Sequence, residues 1–397
     1  MNILNSPSGP SDKTEFAGKR YYIIAGEASG DLHGSNLIKE LKKQDITATI
    51  RCWGGDLMEA AGADLVKHYR DLAFMGFVEV LMNLRIIFRN LAFCKEDILQ
   101  YKPDVIILID YPGFNLRIAE WAKENGFRVI YYISPQVWAW KENRVKKMKQ
   151  CIDLMLVILP FEKDYFKNKW NWNVEYVGHP LVEVIEEFGV RSSESLAPDS
   201  KLPTPNSRFI ALLPGSRKQE ILKKLPVMLE VSRHFPDYQF VVAKAPGLED
   251  SFYQSMMEPY SNVSSVSNQT YALLKQSTAA LVTSGTATLE TALFGVPEVV
   301  CYKGNPVSYA IAKRVISIKY ISLVNLIMDK PVVKELIQQE MNVENLKNEL
   351  LLLLFDEDKK GSLKKDYAAL KQLLSQGGHA SANAARHIQQ FLQEAIS

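Results

Sequence analysis

Several segments place charged or hydroxyl side chains where they can do chemistry. Residues 279–290 read A-A-L-V-T-S-G-T-A-T-L-E, an apolar strand that breaks at Ser284-Gly285 and restarts as a helix carrying Glu290. Unpaired N–H groups and the positive end of the helix dipole make such a start an anion site. Ser284, Thr286 and Thr288 would add hydroxyls, and Gly285 permits close approach. Simple capping by Ser284 or Thr286 is the plainer use of the same residues. A second junction, L-L-P-G-S-R at 212–217, leads through Gly215 and Ser216 to Arg217. A guanidinium offers a fixed fork of donors that suits a diphosphate, although a solvated surface arginine needs no ligand. Together the two junctions point to a nucleoside diphosphate. Glu290 is then a candidate acceptor for both ribose hydroxyls, or a partner of a neighbour on its own helix.

Asp110 ends the apolar run 105–109 and is followed by Y-P-G-F-N. A carboxylate at the carboxyl end of a strand faces a ligand crevice and is a candidate general base; capping a helix or fixing a loop is the competing use. Gly26 and Glu27 lie in the Gly-rich turn 26–30. Glu27 competes for the base role, and Asp31 reads as an N-cap. S-P-Q-V-W-A-W at 134–140 follows another strand and sets Ser134, Trp138 and Trp140 near that crevice, where indoles line a sugar or apolar ligand or simply pack. His179, before Pro180, either orients a phosphate or water or serves as a hinge. The six histidines show no metal-ligand spacing, and Asp356-Glu357-Asp358 reads as a solvated helix end, so neither a metal nor a cofactor is expected.

The elements that must hold these residues alternate. Strands are expected over 21–25, 47–53, 105–109, 129–133, 154–159 and 174–177, and again over 209–213, 238–243, 263–266, 279–283 and 298–301, with helices between, among them 31–43, 79–100 and 116–124. Unbroken Val/Ile runs belong to parallel sheets covered by helices on both faces. Gly26, Gly30 and Gly34 are spaced G-x-x-x-G-x-x-x-G, which is not the dinucleotide fingerprint. The fold expected is α/β, two tandem doubly wound Rossmann-like domains facing a cleft, with a C-terminal helical tail. The boundaries are a mobile extension over 1–18, a first domain over 19–187, a Ser/Pro-rich linker over 188–207, a second domain over 208–365, and terminal helices over 366–397. The last helix, 381–396, either returns to the first domain or pairs with a second copy in a homodimer.

With 397 residues, 47% hydrophobic and 23% charged, the chain has the composition of a soluble two-domain protein, and a net charge of +2 argues against a nucleic-acid partner. The four cysteines form no C-x-x-C pair, which fits a reducing cytoplasm. No apolar run reaches the roughly 18 residues of a spanning helix. The most apolar helical stretch, 74–93, carries Met75, Phe77, Leu81 and Phe88 with Arg85 and Arg89 four apart on one face. Such a helix lies in a membrane interface or contacts acyl chains, or is buried with its arginine stems snorkelling.

Taken together the motifs resemble the lipid-A-disaccharide synthases, glycosyltransferases of GT-B type. The resemblance runs from about residue 21 to 340: A-G-E-A-S-G-D at 25–31, M-G-F-V-E-V-L at 75–81, S-P-Q-V-W-A-W at 134–140, L-P-F-E at 159–162, G-H-P-L at 178–181, L-L-P-G-S-R at 212–217, S-G-T-A-T-L-E at 284–290 and S-L-V-N-L at 322–326. Gln136, Lys141 and Gly113 depart from the family's S-P-S-V-W-A-W-R and D-x-P-D-F-N, and Gly113 leaves Asp110 as the carboxylate of that segment. The resemblance implies transfer of a diacylglucosamine unit from UDP-2,3-diacylglucosamine to 2,3-diacylglucosamine 1-phosphate, with inversion and release of UDP. It implies Asp110 as the base on the acceptor 6-hydroxyl. Arg217 and the helix start at 284–286 would take the diphosphate charge in place of a metal, Glu290 would hold the ribose, and Asn325 would lie near the nucleotide. It also implies a cytoplasmic enzyme at the periphery of the inner membrane. Another UDP-sugar glycosyltransferase or epimerase, or a catalytically idle sugar-nucleotide-binding protein, would share the nucleotide half of these features; the apolar stretch 74–93 favours a lipid substrate over the soluble substrate of an epimerase.

Overall fold

The computed structural model describes residues 18–72, 84–194, 208–245, 248–305, 309 and 319–394. Residues 1–17 of the expected extension and 195–207 of the expected linker lie outside the described residues, as do Met75, Phe77 and Leu81.

Two parallel sheets carry the fold. The first takes β1 (Arg20–Ala25), β2 (Thr49–Gly54), β3 (Asp64–His68), β4 (Val105–Ile109), β5 (Val129–Tyr132), β6 (Leu154–Val157) and β7 (Glu175–Tyr176), in the order β3-β2-β1-β4-β5-β6-β7. Helices α1 (Ala28–Gln44), α2 (Asp56–Ala60), α3 (Leu84–Tyr101), α4 (Pro112–Glu124), α5 (Arg144–Cys151), α6 (Pro160–Trp170) and α7 (Pro180–Glu194) fall among these strands or follow them in the chain. The second sheet takes β8 (Phe209–Leu213), β9 (Gln239–Lys244), β10 (Val263–Ser267), β11 (Ser277–Thr283), β12 (Glu298–Tyr302) and β13 (Lys334–Ile337), in the order β10-β9-β8-β11-β12-β13. Its strands alternate with or are followed by α8 (Lys218–Val231), α9 (Asp250–Met257), α10 (Thr270–Gln276), α11 (Thr286–Leu293), α12 (Leu323–Met328), α13 (Val343–Phe355) and α14 (Glu357–Ser375), and the last helix in the chain is α15 (Ala380–Glu394). The runs V-I-I-L-I of β4, V-I-Y-Y of β5 and F-I-A-L-L of β8 are buried at every position, as strands covered on both faces must be. Each Val, Ile, Leu or Phe side chain among them contributes about 1.5–3 kcal/mol by leaving water.

Several boundaries differ from the sequence expectation for identifiable reasons. Strands β3 and β13 were not expected. They are the outer strands of their sheets, and their mixed sequences D-L-V-K-H and K-E-L-I follow from an edge that meets solvent. Helix α1 starts at Ala28, so Asp31 lies inside its first turn instead of capping it. The Asp31 carboxylate accepts from the backbone N–H groups of Gly55 (2.8 Å), Leu57 (3.2 Å) and Met58 (3.0 Å), capping α2 from a distance. Helix α4 begins at Pro112, whose fixed φ suits a first helical position, and α7 runs to Glu194 through the expected start of the linker.

The chain divides into two compact units, one formed by Met1–Pro135, Met148–Met155 and Ala384–Ser397, the other by Gln136–Lys147 and Leu156–Asn383. Within the first, Gln389 of α15 donates to the Tyr21 hydroxyl at 2.8 Å.

Candidate active site

In the first sheet the chain runs outward from β1 through β2 to β3, then returns to the other side of β1 and runs the opposite way from β4. Where the order reverses, the loops at the carboxyl ends of the two strands part and leave a ligand crevice. Ala25 pairs with Ile109, so Gly26-Glu27 and Asp110 emerge side by side at this point. Asp110 and Tyr111 both adopt left-handed backbone, with φ of 43° and 48°. For residues other than glycine this costs of order 1–3 kcal/mol each and persists only where surrounding contacts enforce it. Those contacts are the Tyr131 hydroxyl, donating to the Asp110 carbonyl at 2.5 Å, and the Asn115 amide, donating to the carbonyls of Asp110 (2.8 Å), Ile109 (3.2 Å) and Ile24 (3.4 Å). Asn115 thus ties the ends of β1 and β4 together. The Tyr111 ring lies directly on Gly26, where a Cβ would stand 2.3 Å from ring carbons.

The Asp110 carboxyl is pushed up to about 7, first by burial and then by the negative charge of Glu27, with a Tyr111 backbone hydrogen bond opposing. A carboxyl in that range can accept a proton near neutral pH. Ser134 is buried in the same unit, and its hydroxyl donates to the Pro135 carbonyl at 3.0 Å.

The second sheet repeats the arrangement. Its order reverses between β8 and β11, and Leu213 pairs with Val282, so Gly215–Arg217 and Ser284–Thr286 leave neighbouring strand ends. Gly215 (φ 115°) and Gly285 (φ 141°) hold backbone that a side chain would strain. Gly285 is the N-cap of α11 and offers no side chain. Capping by Ser284 or Thr286 does not occur: the Ser284 hydroxyl donates to the Ile321 carbonyl at 2.9 Å, and Thr286 is an exposed first helical residue. Thr288 turns its hydroxyl back to the Gly285 carbonyl at 2.8 Å. Arg217 is the N-cap of α8, exposed, with Nη1 3.5 Å from Glu220 Oε1. Glu290 accepts from the Tyr271 hydroxyl of α10 at 2.9 Å, a partner on another helix. Burial raises the Glu290 pKa and the Tyr271 hydrogen bond opposes it.

The remaining candidate residues take the following places. Asn325 is buried, its amide donating to the Val333 carbonyl and Glu335 Oε1 and accepting from the Val333 N–H, each at 2.9 Å. That network supports the segment whose Ile321 carbonyl receives Ser284, so Asn325 acts on the loop from behind. Trp138 donates to Glu162 Oε1 at 3.2 Å and packs edge-on to Phe161, which is ordinary core use, whereas Trp140 is exposed under Lys141. His179 is buried and its Nδ1 accepts from the Leu181 N–H at 3.2 Å, shaping the start of α7. Asp356 caps α14 by accepting from the Lys359 N–H at 2.9 Å. Arg85, Phe88 and Arg89 are exposed on α3. Among the described residues no group of three His, Cys, Asp or Glu side chains is placed to hold a metal.

Sequence reasoning missed Lys224, which lies buried on α8 and donates to the Thr283 hydroxyl at the end of β11. Its position after Arg217 on the row of Ile221 and Leu225 was the available signal, masked by the adjoining Lys223.

Comparison with known proteins gives these crevices their context. Residues 21–390 match the family described as lipid-A-disaccharide synthetase. The chain belongs to the lipid-A-disaccharide synthase family. It is 39% identical over 365 residues to the lipid-A-disaccharide synthase of Geobacter metallireducens, covering 91% of this chain and 94% of the relative. With that of Syntrophus aciditrophicus it shares 38% over 372 residues, 92% and 96% of the two chains. Solved structures with the same fold include the UDP-GlcNAc 2-epimerase of Neisseria meningitidis bound to UDP-GlcNAc (TM-score 0.65, 13% identity, 94% of this chain and 100% of that one). Another is the glycosyltransferase of kitacinnamycin (TM-score 0.65, 15% identity, 94% and 99%). The architecture is that of the GT-B glycosyltransferases and epimerases. Family membership makes the chain a hexosyltransferase of lipid A disaccharide synthesis.

Proposed function

We propose that the chain joins UDP-2,3-diacylglucosamine to 2,3-diacylglucosamine 1-phosphate with inversion at the anomeric carbon, giving the β-1′,6-linked disaccharide 1-phosphate and UDP. The observation that carries this reading is Asp110, a carboxyl with a pKa of about 7 at the switch point of the first sheet. In its ionised form it takes the proton from the acceptor 6-hydroxyl as that oxygen attacks the anomeric carbon. The attack comes from the face opposite UDP, so the C1–O bond to the diphosphate breaks with its electron pair on UDP. Strained backbone held by Asn115 and Tyr131 keeps the carboxyl oriented without reorganisation during the reaction.

The Gly215–Arg217 and Ser284–Thr286 junctions of the second sheet are read as the UDP site. Arg217 and the uncapped N–H groups of α11 carry the positive charge that a departing diphosphate needs, and Gly215 and Gly285 let it approach backbone. Glu290, steadied by Tyr271, receives the ribose hydroxyls. The exposed Arg85, Phe88 and Arg89 of α3 meet the inner-membrane surface from which both acylated substrates come, so the enzyme works as a peripheral protein on its cytoplasmic face. Among the described residues no helix is long and apolar enough to cross a membrane.

Incubating the chain with both substrates and analysing the products by mass spectrometry and by the anomeric proton coupling tests this reading. The disaccharide 1-phosphate with a β linkage and stoichiometric UDP is expected. An α linkage, or UDP released without disaccharide, overturns it.

A further inference from the structure

Lys224 lies between the two loops that are read above as the UDP site, and the inference here rests on that reading. It is 3% exposed on α8, flanked by the buried Ile221 and Leu225. Its ammonium donates to the Thr283 hydroxyl at the end of β11 and stands 3.6 Å from Glu220 Oε2; Glu220 Oε1 in turn faces Arg217 Nη1 at 3.5 Å. Thr283, Lys224, Glu220 and Arg217 form a continuous polar chain from one strand end to the other helix start. Gly215 closes over it: a Cβ there would stand 2.9 Å from Glu220 Oε2, 3.5 Å from Thr283 Cγ2 and 3.6 Å from Lys224 Nζ.

Packing alone does not call for an ammonium at this position. Methionine has a comparable length and belongs in an apolar environment, whereas taking a charge out of water is costly unless partners compensate. Burial pulls the lysine below its ordinary pKa, and Glu220 works in the opposite sense. What the ammonium alone supplies is a simultaneous hold on β11 and α8.

We propose that Lys224 is a positioning residue of the UDP site, setting the separation between the Gly215–Arg217 and Ser284–Thr286 loops through Thr283 and holding Arg217 in place through Glu220. Arg217, exposed and only loosely paired, passes from Glu220 to the diphosphate at little cost. Lys224, enclosed beneath Gly215, stays with Thr283.

The test uses the full-length chain and three variants, K224M, K224R and T283V. UDP affinity is measured by calorimetry, kcat and both KM values by steady-state kinetics, and folding by thermal melting. K224M is expected to weaken UDP binding and raise the donor KM about tenfold, since loops misplaced by a fraction of an ångström lose that much, while the acceptor KM stays unchanged. K224R, which keeps the charge, is expected to recover to within about threefold of wild type. T283V removes the same hydrogen bond without a buried charge change and moves the donor parameters in the same direction, so it carries the test if K224M fails to fold. Folded variants with wild-type UDP affinity overturn the proposal, as does an equal loss in donor KM, acceptor KM and kcat, which marks a general structural role. Absence of UDP binding by the wild-type chain overturns the assignment of the site itself, an outcome the variants cannot mimic.

Discussion

Glu27 and Asp110 follow paired strands at one end of the first sheet, and the negative charge of Glu27 raises the pKa of Asp110. A base must be ionised to act, so kcat/KM is expected to rise with pH, reach half its maximum near the Asp110 value of about 7, and level off above it. E27Q removes one of the two causes that raise this value and moves the limb to lower pH. D110N abolishes the limb and lowers kcat by about 10²–10⁴. Initial-rate profiles of the three proteins with both substrates decide the matter. A limb that stays in place in E27Q separates Glu27 from the titration, and a D110N enzyme of normal turnover removes Asp110 as base.

Glu290 and Tyr271 lead to a prediction about the donor alone. Their 2.9 Å hydrogen bond joins α10 to α11 and holds the carboxylate in a partly enclosed position. Y271F leaves the carboxylate without its donor, and a hydrogen bond to a charged group is worth about 1.5–3 kcal/mol, so the donor KM is expected to rise roughly tenfold or more with the acceptor KM constant. With Glu290 in the ribose-binding role proposed above, E290Q has the same direction and a larger size, because an amide accepts less strongly than a carboxylate. Measuring KM for each substrate in turn is sufficient; a change confined to the acceptor would move Glu290 out of the nucleotide site.

The sequence revealed what burial imposes and concealed what depends on distant partners. Strands β4 and β8 were legible because both faces are covered and every position is apolar, which also made Asp110 and the 212–217 junction stand out at their ends. Strands β3 and β13 were not, because charged residues such as Asp64 and Lys334 stand exposed on edges where solvent tolerates charge. Lys224 reads as a solvated lysine beside Lys223, and only folding brings it to Thr283, 59 residues further along. Asp31 reads as the cap of its own helix, yet the groups it satisfies begin 24 residues away at Gly55. Asn325 carried the signal of a motif residue, and its amide is consumed by Val333 and Glu335, a network no local pattern announces.

Glu298 opens β12 with a fully buried carboxyl, and among the described residues neither oxygen has a hydrogen-bond partner. Burial drives its pKa well above the ordinary 4.5. The proton is therefore bound more tightly in the folded state than in the unfolded one. Its stabilising effect is complete below about 4.5 and is lost as pH rises toward the folded-state pKa. E298M replaces the carboxyl with an apolar chain of similar size and does not titrate. Its melting temperature is expected to exceed that of wild type by an amount that grows between pH 5 and 8, with a gain of about 1–3 kcal/mol at the upper end from relief of the unsatisfied group. Thermal melts across that range check the sign. A variant less stable than wild type at pH 8 would mean that Glu298 has a partner in solution.

Helix α3 supplies the prediction about the membrane. Phe88 is 62% and Phe93 44% exposed, and Arg85 and Arg89 fall on the same helical face. An exposed phenylalanine entering an acyl layer gains about 1.5–3 kcal/mol, and each arginine near an anionic surface adds about 1 kcal/mol, a contribution that salt screens. Wild-type protein is expected to float with vesicles containing anionic phospholipid and to dissociate as salt is raised. The R85E/R89E variant should lose binding to anionic vesicles while keeping its melting temperature. F88S should weaken binding about tenfold at every salt concentration, because the apolar contribution is not screened. Unchanged flotation in R85E/R89E would remove α3 from the membrane contact, and unchanged binding in F88S would remove Phe88 from it.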